Sequence, residues 1–226
     1  MTTVQTVVGK RGVARAWFHD PSNPWYAALL ESVPLLGSVP SDPDQEPGYY
    51  ANLQVLPGNG YAGVLGPYAF DPVVWNATQE RFDQPAATIQ FSGSGGTVSF
   101  LAFCCVRGHK GLPPQSCTLS GQTFTATGHG LVDGDRIILK TDGGTLPTGY
   151  TEARVVEVHS ASSNDFEIRE LDASAIALSG SPSNLFVIPT NGDWSKYRTF
   201  TEAQTVGDGE TQDIAISGFG DTAEVT

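Results

Sequence analysis

Apolar and polar positions alternate most clearly in the middle of the chain. In "AATIQFSG", Ile89 and Phe91 alternate with Thr88 and Gln90, and the apolar run "GTVSFLAFCCV" follows the turn at Gly93 to Gly96. A period of two sends successive side chains to opposite faces, so both stretches predict strands, and the turn predicts a hairpin. Shorter segments of the same kind lie on either side. "YYANLQVLPG" and "GYAGVLGPYAF" come before; "QTFTATG", "DRIILKT", "YTEARVVEVHS", "DFEIREL" and "NLFVIP" come after; Tyr197 to Phe200 and Asp213 to Ile216 come last. "WYAALLESVPLLG" is a short amphipathic stretch in which Pro34 limits any helix to about two turns. No helical period of useful length is present, so the expected fold is all-β.

The strands group into an organisation. Pro113-Pro114, in "RGHKGLPPQSC", marks an edge, and a run of short strands with tight turns fills the chain from there to Pro189. The expected domains are an extended N-terminal arm at 1–24, a β-sandwich body at 25–115 plus 190–226, and a small β-module inserted at 116–189. A jelly roll is one form the sandwich could take. Insertion into a surface loop costs little closure entropy. Deleting the module and bridging the ends is therefore expected to leave a folded remainder.

Composition narrows the function. The chain has 226 residues, of which only 16% are charged, with 26 glycines and 15 prolines, which suits short strands and many turns. The formal net charge of -12 disfavours nucleic acid and anionic membrane as partners. No apolar run approaches the roughly 20 residues that span a bilayer, and no secretory signal is expected at the N-terminus. Cys104, Cys105 and Cys117 are expected to be buried thiols; a zinc site with His109 lacks paired Cys-x-x-Cys spacing. His19, His109, His129 and His159 are scattered, and no nucleophile elbow, zinc-protease helix or P-loop is present. Asp42 with Asp44, or Asp208 with Glu210, could offer oxygens to calcium, but EF-hand spacing is absent and they read as surface turns. No catalytic residue, cofactor or metal is expected.

The stretch "FTATGHGLVDGDRIILKTDGGTLPTGY", Phe124 to Tyr150, explains itself first as turn chemistry, with Asp133-Gly134 as a hairpin signal. It also resembles a small β-module of tailed-bacteriophage virion proteins. The shared features are the histidine-glycine-leucine opening within Thr123 to Ile137, the "GTLPTG" turn at Gly144 to Gly149, the strand "ARVVEVHS" and the ending "NDFEI". The usual Tyr-x-Val strand is replaced here by Arg154-Val155-Val156. The flanking chain resembles decoration or minor structural proteins of such virions, through Gly60-Tyr61-Ala62, Trp75, Phe91, Phe100 to Val106 and Val206-Gly207-Asp208.

The resemblance implies a non-enzymatic structural protein, made in the host cytoplasm and carried on the capsid surface of the virion. The job it implies first is capsid decoration, clamping neighbouring capsomers of the major capsid protein. Residues 1–24 hold three basic residues against one acidic, and Lys10, Arg11 and Arg15 are the candidates for attachment. A homo-trimer, ahead of a dimer, is expected from local shell symmetry. The aromatic residues Tyr49, Tyr50, Tyr68, Phe70 and Trp75 are the candidates for its interface. The alternative is a tail, baseplate or fibre-adaptor protein whose module at 116–189 binds host glycans. An enzyme acting on glycans, with Glu80 and Asp83 as its carboxylates, stands third; the repeats of phage depolymerases are missing.

Overall fold

A computed structural model describes residues 24–68, 74–76, 81–83 and 87–216. The fold is all-β. Its centre is an antiparallel sheet in the order β13 (Asp193–Val206), β6 (Val98–Arg107), β1 (Trp25–Leu30), β2 (Leu65–Tyr68). Strand β1 is the segment "WYAALL", which the sequence suggests as part of a short amphipathic helix; the structure corrects this. It pairs with β6 along its whole length and is covered on both faces. A strand buried on both sides reads as one apolar run, which the period alone cannot tell from a helix. The α-helix of the described residues lies later, at α1 (Glu46–Asn52), in a stretch that reads as a turn-rich connector running into a strand. Pro47 sits in its first turn, where a missing N–H costs nothing.

Alternation along β1 and β6 divides two cores. Trp25, Ala27, Leu29, Phe103 and Cys105 point to one face of the sheet; Ala28, Leu30, Ala102, Cys104 and Val106 point to the other. The first face is closed by Phe91 of β5 (Ala87–Ser92) and by Tyr61, whose rings meet edge to face at 5.7 Å. Strand β5 pairs with β14 (Thr211–Ile216) and not with β6. The turn after it is present, yet the expected hairpin is not. Phe91 belongs to the core on that face, so β5 lies over the sheet instead of extending it. A further two-stranded ribbon joins β3 (Val74–Asn76) to β4 (Arg81–Asp83).

Between β6 and β13 the chain forms a closed six-stranded barrel. Its order is β10 (Val156–His159), β11 (Asp165–Arg169), β8 (Thr123–Thr125), β7 (Gln115–Ser120), β12 (Ser183–Pro189), β9 (Arg136–Thr145). Phe124, Ile137, Leu139, Val156, Val158, Phe166, Leu185 and Val187 fill it. Phe124 and Phe166 stack at 5.3 Å, with planes 12° apart. The chain leaves and re-enters the sheet at one point, because Arg107 and Asp193 are register partners.

The barrel is not a bead on a string. Ile138, Val155 and Ile188 share a third apolar cluster with Ala28, Leu30, Tyr50, Ala51, Ala102, Cys104, Val106 and Trp194. Strand β9 therefore buries both faces: Ile137 and Leu139 face the barrel core, Ile138 faces the shared cluster. Polar bonds frame the contact. Lys140 Nζ donates to Glu31 Oε1 and to the carbonyl of Gln54, both at 2.7 Å. The Val155 N–H donates to Gln45 Oε1 at 2.8 Å, and Asn52 Nδ2 donates to Glu152 Oε1 at 3.0 Å. Helix α1 comes so close that a Cβ on Gly48 would lie 2.2 Å from the Ala153 carbonyl oxygen and 2.7 Å from Val155 Cγ2. Gly48→Ala is expected to cost about 1–3 kcal/mol by overpacking. Urea unfolding would show this as a lower midpoint; an unchanged midpoint would mean that α1 can lift from the barrel without loss.

Strand β13 is an outer strand of the central sheet and carries two irregularities. From Asp193 to Lys196 it advances three residues while β6 advances two, Arg107 to Cys105. From Thr199 to Gln204 it advances five while β6 again advances two, Ala102 to Phe100. These are bulges, and they bend the strand and raise its twist.

Candidate interaction surfaces

The candidate interface residues with described side chains, Tyr49, Tyr50 and Tyr68, do not gather on one surface. Tyr50, only 4% exposed, is part of the cluster between body and barrel, so its ring serves the chain's own packing. Tyr49 lies beside it, ring centres 5.5 Å apart and nearly perpendicular. The Tyr49 hydroxyl accepts the Leu35 N–H at 2.8 Å and donates to the Leu35 carbonyl at 3.4 Å. Tyr68 is half-buried against the core on the other face of the sheet, and burial pushes its hydroxyl up to about 12. Trp75 sits on β3 opposite Phe82 of β4. Phe70, Lys10, Arg11, Arg15 and Glu80 lie outside the described residues.

The structure exposes different apolar side chains. Leu35 is 65% exposed and Val33 37%, on the loop that Tyr49 pins; Val132 is 53% exposed on a barrel loop. In the sequence, Val33 and Leu35 were indistinguishable from the amphipathic run around them. Only the burial of Pro34 between them shows that they face outward.

Charged groups are used to hold the fold. Lys110 pairs with Asp135, Arg154 with Glu170 and Arg169 with Glu157. Arg136 pairs with Asp44 at 2.6 Å and Lys140 with Glu31 at 2.7 Å. All four cations of the barrel are thus engaged, which leaves its surplus of charge acidic. The turn acids are occupied too. Asp208 Oδ1 accepts the Gly95 N–H and Glu210 Oε2 the Gly207 N–H, each at 2.8 Å, and Asp42 Oδ1 accepts the Asp44 N–H at 2.9 Å. Among the described residues no group of three or more His, Cys, Asp or Glu is placed to hold a metal ion.

Two histidines do one job in two similar turns. In "GHKGL" the Nδ1 of His109 accepts the Gly111 N–H at 2.9 Å, and in "GHGL" the Nδ1 of His129 accepts the Leu131 N–H at 2.9 Å. Each imidazole closes a turn as an Asx side chain would. His129, 2% exposed, meets Phe166 at 5.1 Å, the ring planes 67° apart. In the rest of that loop, Asp135 Oδ2 accepts the Val132 N–H at 3.0 Å and Asp133 Oδ1 the Ala161 N–H at 2.8 Å. The "GHGLVDGDR" stretch is a loop at one end of the barrel, locked by its own side chains. The three thiols are buried, and desolvation pushes Cys105 and Cys117 up to about 12, far from a reactive thiolate.

Three of the four aromatic side chains of the barrel point inward. Phe124, Phe166 and Tyr150 are buried in its core, and Tyr150 is held there by accepting the Leu139 N–H at 2.8 Å. Phe186, half-buried, is the remaining aromatic residue between Gln115 and Pro189. The arrangement suits rigid contact through loops and acidic faces better than stacking on sugar rings.

No known protein family matches the chain, and no curated protein or solved structure matches it.

Proposed function

We propose that this protein is a structural component of a tailed-bacteriophage virion, acting as a capsid decoration protein that clamps neighbouring capsomers. The observation that carries this reading is the rigid coupling of two β units. The "GHGL…GTLPTG" stretch belongs to a closed barrel, and that barrel is joined to the body through a shared apolar cluster and a frame of hydrogen bonds. A clamp needs such a body, since a flexible one would lose its stiffness to internal motion. The histidines, thiols and turn acids described above are engaged in holding the fold, which favours a structural role over catalysis.

Attachment is assigned to the basic N-terminal segment. Lys110, Arg136, Lys140, Arg154 and Arg169 are already paired within the fold, so Lys10, Arg11 and Arg15 are the natural contributors to an acidic shell surface. The assembly is read as a homo-trimer ahead of a dimer. The rival reading, a tail or baseplate adaptor with a glycan-binding barrel, has less support because three of the barrel's four aromatic residues serve its core.

Purified protein added to particles that lack it tests the reading. The full chain is expected to bind their heads and raise the temperature at which they break open. A chain without residues 1–15 is expected to stay folded and bind far more weakly. Binding to tails alone would overturn the decoration role, and equal binding of the truncated chain would move attachment to the body.

A further inference from the structure

The chain separates its charges along its length. Lys10, Arg11 and Arg15 lie close to the N-terminus, and from Ala16 to Glu80 there is no lysine or arginine. The acids of that interval include Asp42, Asp44 and Glu46, which lead into α1. Asp44 is paired with Arg136, but among the described residues no lysine, arginine or histidine pairs with Asp42 or Glu46. An apolar spot lies beside these acids. Tyr49 is three residues along α1 from Glu46, so both side chains leave the helix on the same side. The Tyr49 hydroxyl accepts the Leu35 N–H and donates to the Leu35 carbonyl. One side chain thus holds both backbone groups of Leu35. Pro34 is buried, and Val33 and Leu35 on either side of it face water, 37% and 65% exposed. Apolar side chains exposed singly are common; here two are held in place together, beside acids that have no cation.

We propose that the N-terminal segment of the same chain docks on this patch in the free protein, its apolar residues against Val33 and Leu35 and its cations against Asp42 and Glu46. The segment has the matching chemistry. "KRGVARAWF", Lys10 to Phe18, sets Lys10, Arg11 and Arg15 among Val13, Trp17 and Phe18, and it contains no acid. The cations of the barrel, and Lys110 before it, already have acidic partners, so the segment brings the charge that the patch lacks. The chain is also long enough. Arg15 precedes Trp25 by ten residues, which span about 33–36 Å when extended. Strand β1 carries the chain only about 20 Å from Trp25 to the start of the loop. The segment can therefore run back past β1 to Leu35, and its tether favours it over the same segment of another copy. The docking does not rest on the virion reading. Under that reading, acids of the shell take over the cations that the patch holds in the free protein.

A photoreactive side chain at the patch tests the contact. The full chain is made with Leu35→p-benzoylphenylalanine, a change that an exposed loop position accommodates. It is irradiated at several dilutions, and digestion with mass spectrometry locates the adduct. The expected adduct lies within residues 4–18, in a product that runs as a monomer on a denaturing gel, at a yield independent of concentration. Reversing the three charges together, Lys10→Glu, Arg11→Glu and Arg15→Glu, is expected to lower that yield by about tenfold. Raising salt from about 0.05 to 0.5 M is expected to lower it in the chain that keeps its cations. Absence of an adduct in the segment would overturn the docking. A dimeric product, or a yield that climbs with concentration, would give the patch to another copy and overturn the contact within one chain. A yield indifferent to salt would remove its electrostatic basis, and the salt series decides this even if the charge-reversed chain does not fold.

Discussion

Joining Arg107 to Asp193 by a short Gly/Ser link, without the barrel, is expected to give a body that aggregates. The cut itself is benign, since the two residues are register partners in the sheet. The loss is on the far face. Ala28, Leu30, Tyr50, Ala51, Ala102, Cys104, Val106 and Trp194 would face water together, and Gln45, Asn52 and Glu31 would lose their barrel partners. A contiguous apolar surface of that kind is larger than soluble monomers usually leave open. Size exclusion, dye binding and limited proteolysis of the excised chain read the outcome. This reverses the expectation drawn from the sequence, where the double proline suggested a module removable without harm. A soluble, protease-resistant, monomeric body would show that the shared cluster contributes little.

Phe166→Ala is expected to cost about 3–5 kcal/mol, at the upper end for a core truncation. Phe166 is fully buried, stacks on Phe124 and meets His129. It is also the register partner of Phe124 across the β11–β8 seam, which closes the barrel. The rings thus fill the core and hold the seam together. Against an ordinary domain stability of about 5–15 kcal/mol, such a loss leaves the barrel marginal. Urea unfolding followed by labelling of Cys117, which lies in the same core, measures it. A loss below about 1 kcal/mol would mean that the neighbours collapse into the space.

The sequence was legible where one face of a strand is wet. In "DFEIR" and "VEVH", β11 and β10, buried and part-exposed positions alternate, and the period shows directly. It failed at β1, buried on both faces, and at α1, where seven residues around a proline and a glycine leave no period to detect. Partner strands were hidden for a different reason. The turn after β5 is local chemistry, but the pairing of β5 with β14 is set by where Phe91 finds its core. The candidate surface was the least legible part. Aromatic residues mark cores and interfaces alike, and nothing in "GYYANL" says that Tyr50 packs against the chain's own barrel. The setting of His109 is equally hidden, because the rings beside it come from β1 and β13.

The two bulges of β13 matter most when many copies are crowded together. A straight outer strand of fourteen residues would offer a ready template to the next molecule, and at high local density such templates fuse into fibres. Here the spacing of backbone donors and acceptors is broken twice, after Asp193 and after Thr199, so a neighbour's strand finds no long matching ladder. Growth through this edge is thereby disfavoured, and the formal net charge of -12 adds repulsion between crowded copies.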